Sequence, residues 1–372
     1  MRSPDNRFRR YPKLTLLIVN LVVIIGMIFA AEQILRRRSP TFLRRVATNA
    51  RLVPLRENPP NSIWFIEPYG IEIADSLERK PYRFEIDSNG FVAPSKLHES
   101  PDHTLVFMGG STTETILVDE KSRFPYLVGR LLETEGFTVN SYNAGRAANN
   151  SHHSLNLLLN KVLALKPDRV ILMHNVNDLG VQIGRQPYAE TNRLVTPNLS
   201  TGEHLRRARS SWIATRLPAI SQAITAYQQR GTFQQRDAAL GASVAGETTQ
   251  FTPEETAAMR GRFAAHLQTF IAICQAQGIE PILMTQPNRI TQVPDPLFEQ
   301  IIHHTFRLSY DDYFALYTQF NETIRDVSAE NDLRLIDLAA EIPQNDQYIY
   351  DWVHLNTAGS ELAAEIIADA LR

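Results

Sequence analysis

From Thr104 to the C-terminus, short apolar runs alternate with longer amphipathic stretches, and that order admits few folds. The runs are TLVFMG (104–109), FTVNSYN (137–143), RVILMH (169–174), IEPILMT (279–285) and LRLIDL (333–338). Between and after them lie PYLVGRLLETEG, SLNLLLNKVLALK, and the stretches Met259 to Gln277, Tyr313 to Glu330 and Thr357 to Leu371. Strands buried on both faces lose the polar alternation of a half-exposed sheet, and helical connections between them require parallel neighbours. The expectation is an α/β domain of three layers, with a five-stranded parallel sheet in the middle.

Ahead of this domain, Leu14 to Ala31 runs uncharged through LTLLIVNLVVIIGMIFAA. At the helical rise it covers about 27 Å, close to the thickness of a bilayer core, which a signal peptide's apolar region does not reach. Phe29 or Ile28 would occupy the position three residues before a cleavage after Ala31 or Ala30, a poor small-residue pattern. An uncleaved transmembrane helix is therefore expected, with residues 1–35 as cytoplasmic tail and anchor. Arg2, Arg7, Arg9, Arg10 and Lys13 precede the span and Arg36, Arg37, Arg38, Arg44 and Arg45 follow it, so the distribution of cations assigns no orientation.

Residues 36–100 are expected to form a linker, Arg36 to Pro60, followed by a small β region in which IWFIEPYGIEI and YRFEIDSNGFV turn at Asn89-Gly90. Residues 101–372 form the main domain. Its alternation breaks at about 180–252, read as an insertion. There Trp212 to Tyr227 forms either a lid helix or part of a surface excursion. The 38 basic and 40 acidic side chains leave a net charge of −2, which excludes a global field for nucleic acid. Cys274, the single cysteine, rules out an internal disulfide and reads as a core residue.

Open parallel sheets bind ligands beyond the carboxyl ends of their strands, and those positions are polar here. The first strand empties into Gly109-Gly110-Ser111-Thr112-Thr113-Glu114, which suits a nucleophile on a turn, a phosphate cradle or a simple helix cap. A phosphate loop would want a following lysine, and none occurs before Lys121. The second strand ends in Asn143-Ala144-Gly145-Arg146 and the third in His174-Asn175-Val176-Asn177-Asp178. Far downstream, Asp351-Trp352-Val353-His354 precedes the last helix. An Asp three residues before a His can fold back onto one imidazole nitrogen and leave the other free to take a proton from Ser111. His152 with His153, and His303 with His304, are adjacent pairs, poor geometry for one ion, so neither metal nor cofactor is expected.

In FMGGSTTE, NAGR, HNVND and DWVHLNTAG, taken together and in this order, the chain resembles the SGNH or GDSL-like hydrolase family. The resemblance runs from about Thr104 to the C-terminus. It implies a flavodoxin-like sheet, an acyl-enzyme on Ser111, Asp351 and His354 as its partners, and an oxyanion hole from the amides of Ser111 and Gly145 with the Asn177 side chain. Two positions depart from the family pattern. Gly110 stands for the usual Asp, removing a charge beside the nucleophile, and Asn175 stands for a Gly, which should narrow the room near the oxyanion. Arg146, Gln286 and Arg289 are candidates for contacting substrate. The activity implied is hydrolysis of an O-acyl ester of a carbohydrate, lipid or small molecule at the membrane, on its extracytoplasmic side. Acyl transfer to a cell-surface polysaccharide through the same intermediate stays open, as does a non-catalytic glycan-binding or scaffold role.

Overall fold

A computed structural model describes residues 12–38, 55–68, 76–185, 188 and 249–372. The expected lid helix at Trp212 to Tyr227 lies outside the described residues, as does most of the insertion. Helix α1, Pro12–Arg38, carries the uncharged run. Its 22 residues Lys13–Ile34, with a mean hydropathy of 2.8 over an 18-residue window, are long and apolar enough to cross a membrane, a property that signal sequences share. It belongs to one compact unit, and every other described element belongs to a second, made of residues 51–196 and 236–372.

In that second unit, β1 (Ile63–Ile66) pairs antiparallel with β2 (Tyr82–Glu85). The expected Asn89-Gly90 turn follows, with Gly90 at φ +84° and an antiparallel bridge between Ile86 and Val92. Val92 also bridges Asn143, so the small β region is continuous with the edge of the main sheet. The main domain then runs β3 (His103–Gly109), α2 (Ser111–Glu114), α3 (Phe124–Glu133), β4 (Val139–Asn143), α4 (Ser151–Leu157), β5 (Arg169–Met173) and α5 (Val176–Ile183). It resumes with α6 (Pro253–Ala276), β6 (Glu280–Met284), α7 (Pro296–Phe306), α8 (Tyr310–Glu330), β7 (Leu335–Ile336), α9 (Leu338–Glu341) and α10 (Thr357–Leu371).

The five strands β3 to β7 form a parallel sheet in the order β4-β3-β5-β6-β7, the flavodoxin-like arrangement. The pleat sends alternate residues to opposite faces, and both faces are covered. Val106, Met108, Val170, Leu172 and Leu283 pack with α4, α5, α6, α7 and α8. Leu105, Phe107, Ile171, Met173, Ile282, Met284 and Ile336 pack with α3, α9 and α10. Cys274 lies in the first of these cores, and burial pushes its thiol up to about 12, so it is an inert packing group.

The last strand is shorter than LRLIDL suggested. Only Leu335 and Ile336 pair with β6, and at the C-terminal end Asp337 turns away to accept from Thr285 Oγ1 at 2.8 Å and from Arg325 Nε at 2.8 Å. Helix α7 was not anticipated; it opens on an Asp295 cap with Pro296 at its first position. Helix α6 begins earlier than Met259, at a reciprocal cap between Thr252 and Glu255.

Helices α6 and α8 are joined by Phe263 stacked on Phe320 with ring centroids 5.0 Å apart, both fully buried. Phe320→Ala should lower unfolding free energy by about 3–5 kcal/mol, read from urea denaturation of the protein.

Candidate active site

β3 ends at Gly109, and the chain turns through Gly110 into the single-turn helix α2 with Ser111 at its first position. A helix's first amide has no partner within its own helix, and none is made by Ser111 N among the described residues. In the sheet order this turn lies beside β5, at the point where connections reverse direction.

The loop before α10 brings the other groups to it. One Asp351 oxygen accepts from the amides of Val353 at 2.8 Å and His354 at 2.7 Å, closing a turn that aims its second oxygen at the ring. That oxygen lies 2.6 Å from His354 Nδ1, and His354 Nε2 lies 2.7 Å from Ser111 Oγ. The network assigns the ring proton to Nδ1, donating to Asp351, and leaves Nε2 to accept from the serine hydroxyl. The loop is held at both ends. Ile349 bridges Leu355, the Arg289 amide donates to the Trp352 carbonyl at 2.8 Å, and the Trp352 ring stacks on Tyr313 at 5.9 Å. Tyr350 lies nearly parallel to the His354 ring at 5.7 Å.

Burial works against the His354 cation, but the Asp351 carboxylate, through its field and its hydrogen bond, outweighs that effect with help from Glu114. The result is a pKa raised above the ordinary value of 6.5. A cavity of about 10 Å³ opens between Ser111, Thr115, Leu117, Tyr350 and His354, space for one water-sized group.

Asn177, in the first turn of α5, donates one amide proton to the Asn149 carbonyl at 2.7 Å, which leaves its second proton available to a ligand. The next residue fixes that turn. Asp178, fully buried, accepts from the Ser151 amide at 3.1 Å, from the Ser151 hydroxyl and from Tyr188 at 2.8 Å. Burial raises its pKa to about 6 against the pull of those bonds.

Gly145 stands differently from the expectation. Its amide donates to Asn143 Oδ1 at 2.9 Å and so does not face an oxyanion. What the site requires of Gly145 is its missing side chain, since a Cβ there would come within 2.5 Å of Glu114 N. The three candidate substrate contacts each make bonds within the protein. Arg146 donates to the Glu57 carbonyl. Gln286 is 2% exposed, with its carbonyl accepting from Val176 N at 2.8 Å and its amide donating to Thr112 Oγ1 at 2.8 Å. Arg289 packs over the Phe298 ring at 5.0 Å and reaches the Ile349 carbonyl at 3.4 Å. Nor does Asn175 narrow the site. Its side chain turns inward and donates to Tyr317 O at 3.0 Å and Asn321 Oδ1 at 2.9 Å.

Two residues were not anticipated. Glu114, buried on the turn after Ser111, accepts from Asn58 Nδ2 at 2.9 Å and from the Ala147 amide at 2.8 Å. Glu114 was visible in the motif GGSTTE; Asn58, in the stretch read as a linker, carried no local pattern that could have marked it.

The His354 arrangement has a direct readout. NMR titration of that imidazole should give a midpoint above 6.5, and Asp351→Asn should move it down, because burial then acts with less opposition.

No curated relative matches the chain. Among solved structures, an α/β hydrolase from the metagenome of Lake Arreo, Spain, is 16% identical with a TM-score of 0.41, covering 74% of this chain and 97% of that one. An acetylxylan esterase from Geobacillus stearothermophilus is also 16% identical, with a TM-score of 0.41, covering 73% of this chain and 94% of the other. A second acetyl xylan esterase is 18% identical with a TM-score of 0.40, covering 72% of this chain and 100% of its own. These likenesses are distant. A family model is more direct, matching residues 107–362, a span that begins inside β3 and ends within α10 and so takes in Ser111, Asn177, Asp351 and His354. The chain belongs to the GDSL-like lipase/acylhydrolase family, the SGNH hydrolases, and is an ester hydrolase by family.

Proposed function

We propose that the protein cleaves O-acyl esters through an acyl-enzyme on Ser111, with His354 as base and then acid and Asp351 as its orienter. The observation that carries this reading is the unbroken line from Ser111 Oγ through His354 to Asp351, with contacts of 2.7 and 2.6 Å. As Ser111 Oγ attacks the acyl carbon, its proton passes to His354 Nε2 and the carbonyl oxygen becomes an oxyanion. The Ser111 amide and the free proton of Asn177 Nδ2 are the donors open to it, each worth about 3–4 kcal/mol in comparable sites. Collapse expels the alcohol, protonated by His354. Water then attacks the acyl-serine as His354 takes its proton, and the acid leaves with the serine hydroxyl restored.

Helix α1 is proposed as the membrane anchor of this activity, with residues 101–372 as the hydrolase domain and 36–100 as the segment between. The substrate class is an O-acyl ester of a carbohydrate or small molecule. The cavity beside Ser111 supports a small group next to the reacting centre.

A fluorophosphonate probe should label the wild-type protein at Ser111 and fail on Ser111→Ala, whose turnover of p-nitrophenyl acetate should fall by at least about 10³-fold. Labelling that persists in Ser111→Ala would assign the nucleophile elsewhere. The pH profile has a definite sign. The base acts as neutral imidazole, and the folded protein favours the cation, so kcat/KM should rise through an apparent pKa above 6.5. The same preference stabilises the fold below pH 6.5, a contribution lost as pH rises through the raised value.

A further inference from the structure

The segment Arg56 to Asn58 lies ahead of the matched hydrolase span, yet it lies against the loop that follows β4. The Arg56 carbonyl accepts from Asn149 Nδ2 at 3.1 Å, and its guanidinium donates to the Ala147 carbonyl at 3.3 Å. The Glu57 carbonyl takes Arg146, while the Glu57 side chain pairs with Lys161 at 2.9 Å. Asn58 Nδ2 bonds Glu114 Oε1 at 2.9 Å and the Gly145 carbonyl at 3.3 Å. Through Ala147 N, Glu114 grips the same loop from the other side, at 2.8 Å.

This loop ends at Asn149, whose carbonyl holds one proton of the Asn177 amide at 2.7 Å and so decides where the other points. A buried carboxyl is a poor choice for stability alone, since burial pushes Glu114 upward and an apolar side chain would avoid that penalty. Its two oxygens are instead spent on one loop and one strap.

We propose that Asn58 and Glu114 are positioning residues of the hydrolytic site, clamping the loop after β4 to the nucleophile turn so that the Asn177 amide faces the reacting carbonyl. This rests on the hydrolase reading above. It also makes the segment before the hydrolase domain part of the working enzyme: a protein beginning at Asn61 lacks the clamp.

The test uses the full-length chain in detergent, with kcat and KM for p-nitrophenyl acetate expressed per serine titrated by fluorophosphonate, and thermal unfolding alongside. Asn58→Ala and Asn58→Asp should each lower kcat by about 10- to 100-fold, the range expected for a misplaced group, with KM changed by less than about threefold. Combining Asn58→Asp with Glu114→Gln reverses the pair, since the introduced amide can donate to the introduced carboxylate and still accept from Ala147 N. Because the Gly145 carbonyl still lacks its Asn58 donor, that double variant should recover part of the loss, raising kcat at least about threefold above Asn58→Asp, a rescue that a merely structural role would not produce. Unchanged kcat per titrated serine in both single variants, or a loss that the reversed pair does not lessen, overturns the clamp while leaving the hydrolase intact. Absence of both turnover and labelling in wild type overturns the hydrolase reading and the clamp with it.

Discussion

A parallel sheet covered on both faces has no room for polar chemistry along its length, and that constraint organises the molecule. Strand positions from Leu105 to Met108 and from Val170 to Met173 are buried among apolar neighbours on one side or the other. Apart from Asn140 and Ser141 on the edge strand β4, polar groups gather where the hydrogen-bond ladder ends, at the carboxyl edge. Asn143 closes β4 on that edge, and Ser111, His174, Thr285 and Asp337 lie just past their strands. The loop of His354 comes to it from beyond the last strand and is steered by the Trp352 ring against α7 and α8.

Placing so many polar side chains at a buried edge is tolerable only if they satisfy one another. An amide ladder does this beneath the site. Asn321 on α8 exchanges bonds with the backbone of Gln286 in both directions, at 3.1 and 3.0 Å, and accepts from Asn175. Gln286 then reaches both Val176 N and Thr112 Oγ1. The first turns of α2 and α5 are thereby referred to one side chain, which ties the nucleophile turn to the turn carrying Asn177. Gln286, first regarded as a substrate contact, thus links two parts of the site.

What the sequence disclosed divides along physical lines. The strands and the layers were legible because burial on both faces writes itself into runs such as RVILM, and Asp351-x-x-His354 was legible because its contact is local, three residues apart in one turn. Gln286 was misread because a polar residue after a strand looks the same whether it faces solvent or braces a neighbouring loop; the difference lies in Thr112, 174 residues away. Asn58 was passed over for the same reason, its partners lying 56 and 87 residues downstream. At the end of β7, Asp337 turns to Arg325, a partner that no local pattern of LRLIDL contains.

Gly110 shows how one departure from the family pattern is tied to another group's position. The expectation from the family resemblance was a lost charge beside the serine. In the structure the change is one of space: a Cβ at residue 110 would fall 2.4 Å from Asn177 Nδ2 and 3.2 Å from the Asn149 carbonyl. Any side chain there competes with the amide proposed to receive the oxyanion, and with the carbonyl that orients it. An Asp at 110 therefore requires Asn177 to stand farther from the turn, whereas glycine lets it rest directly on the backbone ahead of Ser111. The Gly145 amide is committed to Asn143, so in the proposed mechanism the close approach of Asn177 carries more of the charge than it would beside a third donor. The bare Gly110 and the hold of the β4 loop on Asn177 are thus two sides of one arrangement. One clears the space, and the other keeps the amide in it.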